Sequence, residues 1–105
     1  MSPEVIQFIK ENKNLIDENS KESWEEIYKK LTKKNCIGEF TEIMLSIDVD
    51  PVKNLSYIPT KYLFESQIST YSIPDNITSI GSRAFYGCKN LTHFKIPNNV
   101  KSINS

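Results

Sequence analysis

The chain has 105 residues and a mass of 12.1 kDa, and 38% of its side chains are apolar, which suffices for one hydrophobic core but not for two independent ones. Thirteen basic residues balance 13 acidic ones, and this balance disfavours direct nucleic-acid binding and a strongly charged tail. With 3 Gly, 5 Pro and 2 Cys, the sequence is neither collagen, nor low-complexity, nor a disulfide-rich scaffold.

Charge is distributed unevenly along the chain. Residues 1–50 carry 11 acidic side chains and seven lysines, a net charge of −4, whereas residues 51–105 carry six basic and two acidic side chains, a net charge of +4. A shift of this kind near Pro51 indicates an architectural boundary. We therefore expect a helical N-terminal region over residues 1–56 and a second region over residues 57–105.

The sequence predicts no membrane segment, because the longest purely apolar run is only Ile43 to Leu45 and a bilayer requires about 20 residues. The N-terminus has neither the basic start nor the apolar stretch of a signal peptide. We therefore expect a cytoplasmic location, in a bacterium or in an infected host cell. In that compartment Cys36 and Cys88 are expected to be reduced rather than paired.

The first half has the patterns of helices. Ser2 before Pro3 fits a hydroxyl cap followed by proline at the first helical position. A second helix is predicted to begin at Ser23, which fits a capping box with Glu26. Its apolar stripe has the spacing i, i+3, i+4, i+7 and comprises Trp24, Ile27, Tyr28 and Leu31.

A third helix is predicted from about Glu39 to Ile47. Asp50 and Pro51 should stop this helix and cap a further turn that runs through Leu55. The lysines at positions 29, 30, 33 and 34 are flanked by glutamates, so we interpret them as a solvated helix end rather than as a phosphate site.

The second half contains an internal repeat. Residues 68–82 align with residues 91–105 at an offset of 23 positions, and six of the fifteen pairs are identical, where average composition predicts about one. A period in the low twenties is typical of leucine-rich repeats, in which each repeat supplies one strand and one return segment. The equivalent pairs include Tyr71 and Phe94, Ile73 and Ile96, Asn76 and Asn99, and Ile80 and Ile103.

The alternation within one period predicts which side chains are buried. Apolar positions should point inward, and the polar positions between them should point away from the core. Gly81 and Asn104 are equivalent and are the residue types that best tolerate positive φ, so a tight turn is predicted at both. The inward set comprises Leu91, Phe94, Ile96, Val100 and Ile103, and the outward set comprises Thr92, His93 and Lys95.

Residues 73–97 resemble a full repeat of the BspA-type leucine-rich repeat proteins. The family pattern, I-P-x-x-I-x-x-I-G-x-x-A-F-x-x-C-x-x-L-x-x-I-x-I-P, is met at eleven positions of this stretch. A truncated repeat follows it. A degenerate one precedes it, in which Ile58-Pro59 is aligned with Ile73-Pro74 and Leu63-Phe64 with Ala84-Phe85.

The resemblance implies an α+β fold in which the helical N-terminal region caps a short leucine-rich-repeat solenoid. It also implies that Cys88 packs against turn backbone and performs no redox chemistry. The residues to which the resemblance gives a structural role are Gly81, Phe85, Cys88, Leu91 and Ile96.

No catalytic constellation is visible in the sequence. The single histidine, His93, lies on the outward side of a predicted strand, with no acid or nucleophile at a spacing that would place it beside the ring. Motifs for zinc, calcium and phosphate loops are absent from the sequence, so we expect no metal, no cofactor and no enzymatic activity.

We expect a protein-interaction module of leucine-rich-repeat type with an unidentified protein partner. The outward residues of two successive strands would form its recognition surface, although small polar side chains could equally serve to keep a sheet face soluble. These candidate binding residues are Ser69, Thr70, Ser72, Thr92, His93 and Lys95.

The helices can cover one end of the repeats, through Phe40, Met44, Leu55 and Tyr57, but the sequence offers no cap for the other end. We therefore expect either a homodimer joined through the C-terminal repeat or a chain that continues beyond Ser105.

The alternative function is a phage or mobile-element inhibitor, comparable to an anti-CRISPR protein, that blocks a host nucleic-acid-handling complex. In this hypothesis the acidic helices imitate the nucleic-acid backbone.

Overall fold

The computed structural model describes residues 2–104 and has helices in the first half and short strands in the second. This α+β arrangement confirms the coarse fold class predicted from the sequence. The α-helices are α1 (Pro3–Glu11), α2 (Lys13–Glu18), α3 (Lys21–Leu31) and α4 (Ile37–Ser46), followed by a 3-10 helix (Pro51–Asn54). The strands are β1 (Tyr57–Ile58), β2 (Thr70–Ser72), β3 (Ser79–Ile80), β4 (His93–Lys95) and β5 (Ser102–Ile103).

Side-chain capping marks the starts of α1 and α3, with one correction to the prediction. The Ser2 hydroxyl accepts a hydrogen bond from the Val5 amide, as predicted. Helix α3 begins earlier than predicted, because Ser20 is its cap: the Ser20 hydroxyl accepts from the Ser23 amide, and the Ser23 hydroxyl accepts from the Ser20 amide. The predicted capping box of Ser23 with Glu26 is therefore wrong.

Helix α2 was not predicted, and α4 begins at Ile37, two residues before its predicted start at Glu39. Gly38 accounts for the close packing of α4 against Phe64. A β-carbon added to Gly38 would overlap the Phe64 carbonyl oxygen, so only glycine allows the helix to contact this backbone. The Asp50 carboxylate caps the 3-10 helix by accepting from the Val52 amide at 3.2 Å, as predicted.

A continuous hydrophobic core joins the helices to the strands. The whole predicted stripe of α3 is buried, together with Phe40, Met44 and Leu55, while Tyr57 is half-buried. Neighbouring aromatic rings form a row that crosses the molecule, with centroid separations between 4.7 and 6.1 Å. In order, the row comprises Phe8, Phe40, Tyr28, Tyr62, Tyr71, Phe85 and Phe94.

The strands form two parallel sheets whose register follows the sequence repeat. One sheet has the order β1-β3-β5 and the other pairs β2 with β4. Tyr71 lies beside Phe94 and Ile80 beside Ile103, each at the predicted offset of 23. Between β1 and β3 the offset is 22, because Ile58 lies beside Ile80. The proposed alignment of Ile58-Pro59 with Ile73-Pro74 is therefore wrong.

The turn segments between the sheets also lie side by side. The amides of Lys61, Leu63 and Glu65 donate to the carbonyls of Ser82, Ala84 and Tyr86 at 3.0, 2.7 and 2.7 Å. Equivalent segments of successive repeats thus contact each other at three places around each repeat: both sheets and this turn.

Gly81 is needed for a reason other than the one predicted. Neither Gly81 nor Asn104 has positive φ. A β-carbon at Gly81 would lie 2.7 Å from both the Ile58 carbonyl oxygen and the Thr60 nitrogen, so the glycine permits close approach of two backbone segments. The left-handed positions are instead Lys61, Arg83 and Gly87 among others, with φ of 59°, 55° and 74°.

The last repeat is more exposed than predicted. Phe94, Ile96 and Ile103 were expected to be buried but are exposed, and Leu91 and Val100 are half-buried. Of their equivalents one repeat earlier, Ile68 is half-buried and the other four are buried, namely Tyr71, Ile73, Ile77 and Ile80. Nothing in residues 2–104 covers the last repeat itself. Thr92, His93 and Lys95 are exposed, which agrees with their predicted outward orientation.

Candidate protein-binding surface

The structure brings the six candidate binding residues together at the β2-β4 sheet, where four lie in the paired strands and Ser69 and Thr92 directly precede them. The register places Thr70 beside His93 and Ser72 beside Lys95, in two adjacent rows. The Thr92 amide donates to the Ser69 carbonyl at 2.9 Å, which fixes the start of the pair. We call this the strand face, and its six members are all exposed: Ser69, Thr70, Ser72, Thr92, His93 and Lys95.

Two grooves flank the strand face. One has a volume of about 430 Å³ and is lined by residues that include Val49, Ile68 and Thr70, and the other has a volume of about 310 Å³ and reaches Lys95. Asp50, Lys53 and Ser72 line both grooves. The surface available to a partner is therefore wider than the two strands alone.

Asp50 is held in place by two tyrosines. The Tyr62 hydroxyl donates to its carboxylate at 2.6 Å, and the Tyr71 hydroxyl donates at 3.1 Å. Burial raises the pKa of both phenols above the usual range, and the adjacent Asp50 charge raises each pKa further. Both tyrosines therefore remain protonated donors at neutral pH. Sequence reasoning missed this arrangement because Asp50 was interpreted only as a helix cap.

His93 has no catalytic surroundings among residues 2–104. Its ring makes no hydrogen bond, ion pair or aromatic contact with any of these residues, so nothing orients it as a base or a nucleophile's partner. The same part of the chain contains no cluster of three or more histidine, cysteine or carboxylate side chains that could hold a metal ion.

The cysteines are free thiols in structural positions. Cys88 Sγ donates to the Leu63 carbonyl at 3.0 Å, so the thiol packs against turn backbone. Burial raises its pKa. Burial and the nearby Glu4 raise the pKa of Cys36 to about 11. Neither thiol is activated as a nucleophile at neutral pH.

A second surface on the turn segment was not predicted from the sequence. The Phe64 and Tyr86 rings stack with centroids 5.3 Å apart and planes 13° from parallel. Lys61 Nζ lies 5.3 Å from the Phe64 centroid, and the Arg83 guanidinium carbon lies 6.0 Å from the Tyr86 centroid. In the sequence this surface corresponds to an offset of 22 positions between the two cation–aromatic pairs. It was missed because the predicted repeat period was 23.

Of the residues with expected structural roles, Gly81, Phe85 and Cys88 contact a neighbouring repeat. Phe85 is half-buried and packs between Tyr71 and Phe94, with centroids 5.8 and 4.7 Å away. Leu91 is half-buried, and Ile96 belongs to the exposed end of the last repeat.

The acidic side chains of the helices include the exposed Glu18, Glu22 and Glu26. Lys30 Nζ donates to the Asn12 side chain at 3.0 Å, and the single ion pair within residues 2–104 joins Lys13 to Asp17. Within these residues no helix is both long and apolar enough to cross a membrane.

Comparison with known proteins identifies a family. A family model described as BspA type leucine rich repeat region (6 copies) matches residues 35–105, about two thirds of the chain. The match begins ahead of the boundary expected at residue 57 and includes α4. No curated protein and no solved structure matches the chain.

Proposed function

The chain belongs to the BspA-type leucine-rich repeat family, and from this membership we propose that it is a non-enzymatic protein-interaction module. Leucine-rich repeats present successive strands as a rigid surface, so a partner meets side chains that are already ordered. Membership in the family supports a role in protein binding.

The proposed architecture is a short solenoid of three turns with a helical cap. The parallel pairing of β1, β3 and β5 and the second ladder between β2 and β4 support it, since both ladders join equivalent positions of consecutive repeats. In this proposal residues 1–56 form the cap and residues 57–105 form the repeats. Burial of Phe40, Met44 and Leu55 supports the cap.

The strand face is the proposed binding surface, and the pairing of β2 with β4 is the observation that carries this assignment. It aligns Thr70 with His93 and Ser72 with Lys95, so four exposed polar side chains have fixed positions relative to one another. The two flanking grooves, which share Asp50 and Lys53, extend the area toward the roughly 800 Å² per partner of a standard interface.

We propose a cytoplasmic location, with the cysteines reduced, as the sequence predicts. The homodimer through the C-terminal repeat stays a prediction.

The inhibitor hypothesis is the alternative, and the charge asymmetry favours it. Residues 1–50 carry a net charge of −4, and exposed acids such as Glu18, Glu22 and Glu26 lie on or at the ends of α2 and α3. An acidic surface of this kind could occupy a basic nucleic-acid site. Such binding would weaken above about 0.3 M salt, because salt screens exposed charges.

Affinity capture from the source cell with three forms of the protein tests the proposal. The wild type is compared with a strand-face variant (Thr70→Ala, His93→Ala and Lys95→Ala together) and an acidic-helix variant (Glu18→Gln, Glu22→Gln and Glu26→Gln together). The proposal predicts that a partner captured by the wild type in a salt-tolerant manner is lost only with the strand-face variant. Loss only with the acidic-helix variant, together with salt sensitivity, would support the inhibitor instead.

A further inference from the structure

A groove between the helical region and β2 contains a carboxylate without an ion-pair partner. The groove has a volume of about 430 Å³, within the range of roughly 300–1,000 Å³ that is usual for ligand pockets. Asp50 lies in its wall, and the single ion pair within residues 2–104 joins Lys13 to Asp17, so no cation of this part of the chain pairs with Asp50. All residues that line the groove lie between positions 45 and 72, so none belongs to the last repeat.

The hydrogen bonds of the Asp50 carboxylate leave one acceptor position open. A carboxylate has about four lone-pair positions, two on each oxygen. Oδ1 accepts from the Tyr62 hydroxyl at 2.6 Å and from the Val52 amide at 3.2 Å, which fills both of its positions. The Tyr71 hydroxyl is closer to Oδ2, at 3.1 Å, than to Oδ1, at 3.3 Å, and fills one position of Oδ2. All three donors are neutral, so the open position of Oδ2 belongs to a carboxylate whose charge is not balanced by its own contacts.

The other walls of the groove suit a long side chain with a positive end. Two aspartates and one lysine line the groove, namely Asp48, Asp50 and Lys53, and its net charge is therefore −1. One cation balances this charge, whereas an anion would be repelled. Half-buried apolar side chains complete the walls and would contact a methylene stem. They are Leu45, Val49 and Ile68.

The neighbouring groove does not share this preference. It includes Asp50 and Lys53 and adds Asp75 and Lys95, so its charges balance. A cationic side chain is therefore expected to enter the groove beside β2 and not the one that reaches Lys95.

We propose that the groove beside β2 binds a lysine side chain of the partner protein, whose ammonium donates a hydrogen bond to Asp50 Oδ2 while its methylenes pack against the apolar walls. An ammonium needs only one acceptor, whereas a guanidinium binds a carboxylate best through two parallel hydrogen bonds, one to each oxygen. With Oδ1 filled, Asp50 offers only the single acceptor. The groove borders the strand face at Thr70 and Ser72, so the proposal rests on the proposed function.

The probe is N-acetyl-lysine methylamide, which carries the side chain without the rest of a partner. Its matched control is the norleucine analogue, which has the same stem without the ammonium group, and the arginine analogue tests selectivity. Backbone amide chemical shifts of the full chain measure binding. We expect the lysine analogue to cause saturable shifts at Thr70, Tyr71 and Ser72, with a dissociation constant on the order of 1 mM. The norleucine analogue should bind at least about tenfold more weakly, and the arginine analogue no more tightly than lysine.

Three variants locate the binding. Asp50→Asn keeps the shape of the side chain but removes its charge, and we expect it to weaken binding of the lysine analogue by at least about tenfold. Asp75→Asn is the matched control and should leave the affinity unchanged, because Asp75 is exposed and lines only the neighbouring groove.

The third variant, Tyr71→Phe, tests the count of acceptor positions. It removes the donor to Oδ2 and frees a second position there, so the arginine analogue should gain about threefold in affinity relative to the lysine analogue. A loss of stability alone would not change this selectivity, and circular dichroism checks the fold of each variant.

Absence of saturable shifts with the lysine analogue, or equal affinity for the norleucine analogue, would overturn the proposal, and neither result depends on the folding of a variant. Equal effects of Asp50→Asn and Asp75→Asn would overturn it as well. The proposed function fails separately. If the strand-face variant loses a captured partner but the wild type does not bind the lysine analogue, the lysine site alone is wrong. If the lysine analogue binds at Asp50 but no partner is captured through the strand face, the proposed function alone is wrong.

Discussion

Ile80 and Ile103 lie side by side in parallel register on β3 and β5, yet Ile80 is buried and Ile103 is exposed. The two residues have the same side chain and the same position in the repeat. They differ in their neighbours: Ile80 is covered by the following repeat, and Ile103 has no following repeat within residues 2–104. Burial in this protein is therefore set by the stacking of repeats and not by the local pattern alone.

This relationship predicts unequal costs of truncation. Ile80→Ala is expected to lower the free energy of unfolding by about 2–5 kcal/mol, because it leaves a cavity in the core. Ile103→Ala is expected to lower it by about 0.5 kcal/mol or less, as for a surface position. Urea denaturation of both variants checks the difference. Equal losses would show that Ile103 is buried in solution.

Gly81 should reject even the smallest side chain. Its φ is not positive, so replacement by alanine would normally stabilise the protein by about 0.4–1 kcal/mol through the unfolded state. Here the added β-carbon would meet the Ile58 and Thr60 backbone, so Gly81→Ala is expected to cost about 1–3 kcal/mol. Thr60→Ala, at an exposed neighbouring position, is the control and should be nearly neutral. Thermal denaturation of Gly81→Ala that shows stabilisation would refute the close approach.

The Asn76 side chain joins consecutive repeats. Its amide group donates to the Val52 carbonyl at 3.0 Å and to the Leu55 carbonyl, while the equivalent Asn99 donates to the Asp75 carbonyl at 2.9 Å. Asn76→Asp keeps the shape but removes the donor, and we expect it to cost about 1 kcal/mol or more. Asn99→Asp should cost less, since it removes one bond on the exposed last repeat. If chemical denaturation ranks the two variants in the opposite order, the assigned role of Asn76 is wrong.

The thiol of Cys36 is expected to lower the free energy of unfolding as the pH rises into the alkaline range. Its pKa is raised from 9.0 to about 11 in the folded protein, first by burial and then by Glu4. The unfolded thiol ionises above pH 9 while the folded thiol does not, so its contribution is complete below pH 9 and declines as the pH rises toward 11. The decline approaches at most about 1.4 kcal/mol per pH unit.

Cys36→Ala is the variant that isolates this effect. Urea denaturation at pH 8, 9 and 10 should show a shallower loss of stability in the variant than in the wild type. Parallel losses in the two proteins would mean that another group is responsible. The tyrosines with raised pKa ionise in the unfolded state mainly above pH 10 and affect both proteins alike.

Periodicity predicted the parts of the fold that depend on regular spacing. The stripe of Trp24, Ile27 and Leu31 and the offset that places Tyr71 beside Phe94 are both confirmed. Helix α2 was missed because it has no side-chain cap hydrogen bond and only two half-buried apolar residues, Leu15 and Ile16. Its short pattern does not differ from that of a polar loop.

Other features depend on contacts that are distant in sequence. The stacking of Phe64 on Tyr86 requires an offset of 22, one residue shorter than the repeat that was visible in the sequence. The left-handed conformations of Lys61 and Arg83 could not be predicted, because neither residue type favours positive φ. On the strand face the outward residues were predictable from alternation, whereas Asp50 and Lys53 come from the preceding segment and enter only through packing.

Proton nuclear Overhauser contacts across the two ladders test the central claim, which is that consecutive repeats stack in parallel with offsets of 22 and 23. The account predicts backbone contacts between Tyr71 and Phe94, between Ile80 and Ile103, and between Ile58 and Ile80. Contacts in an antiparallel pattern, or none between these residues in a folded protein, would contradict it.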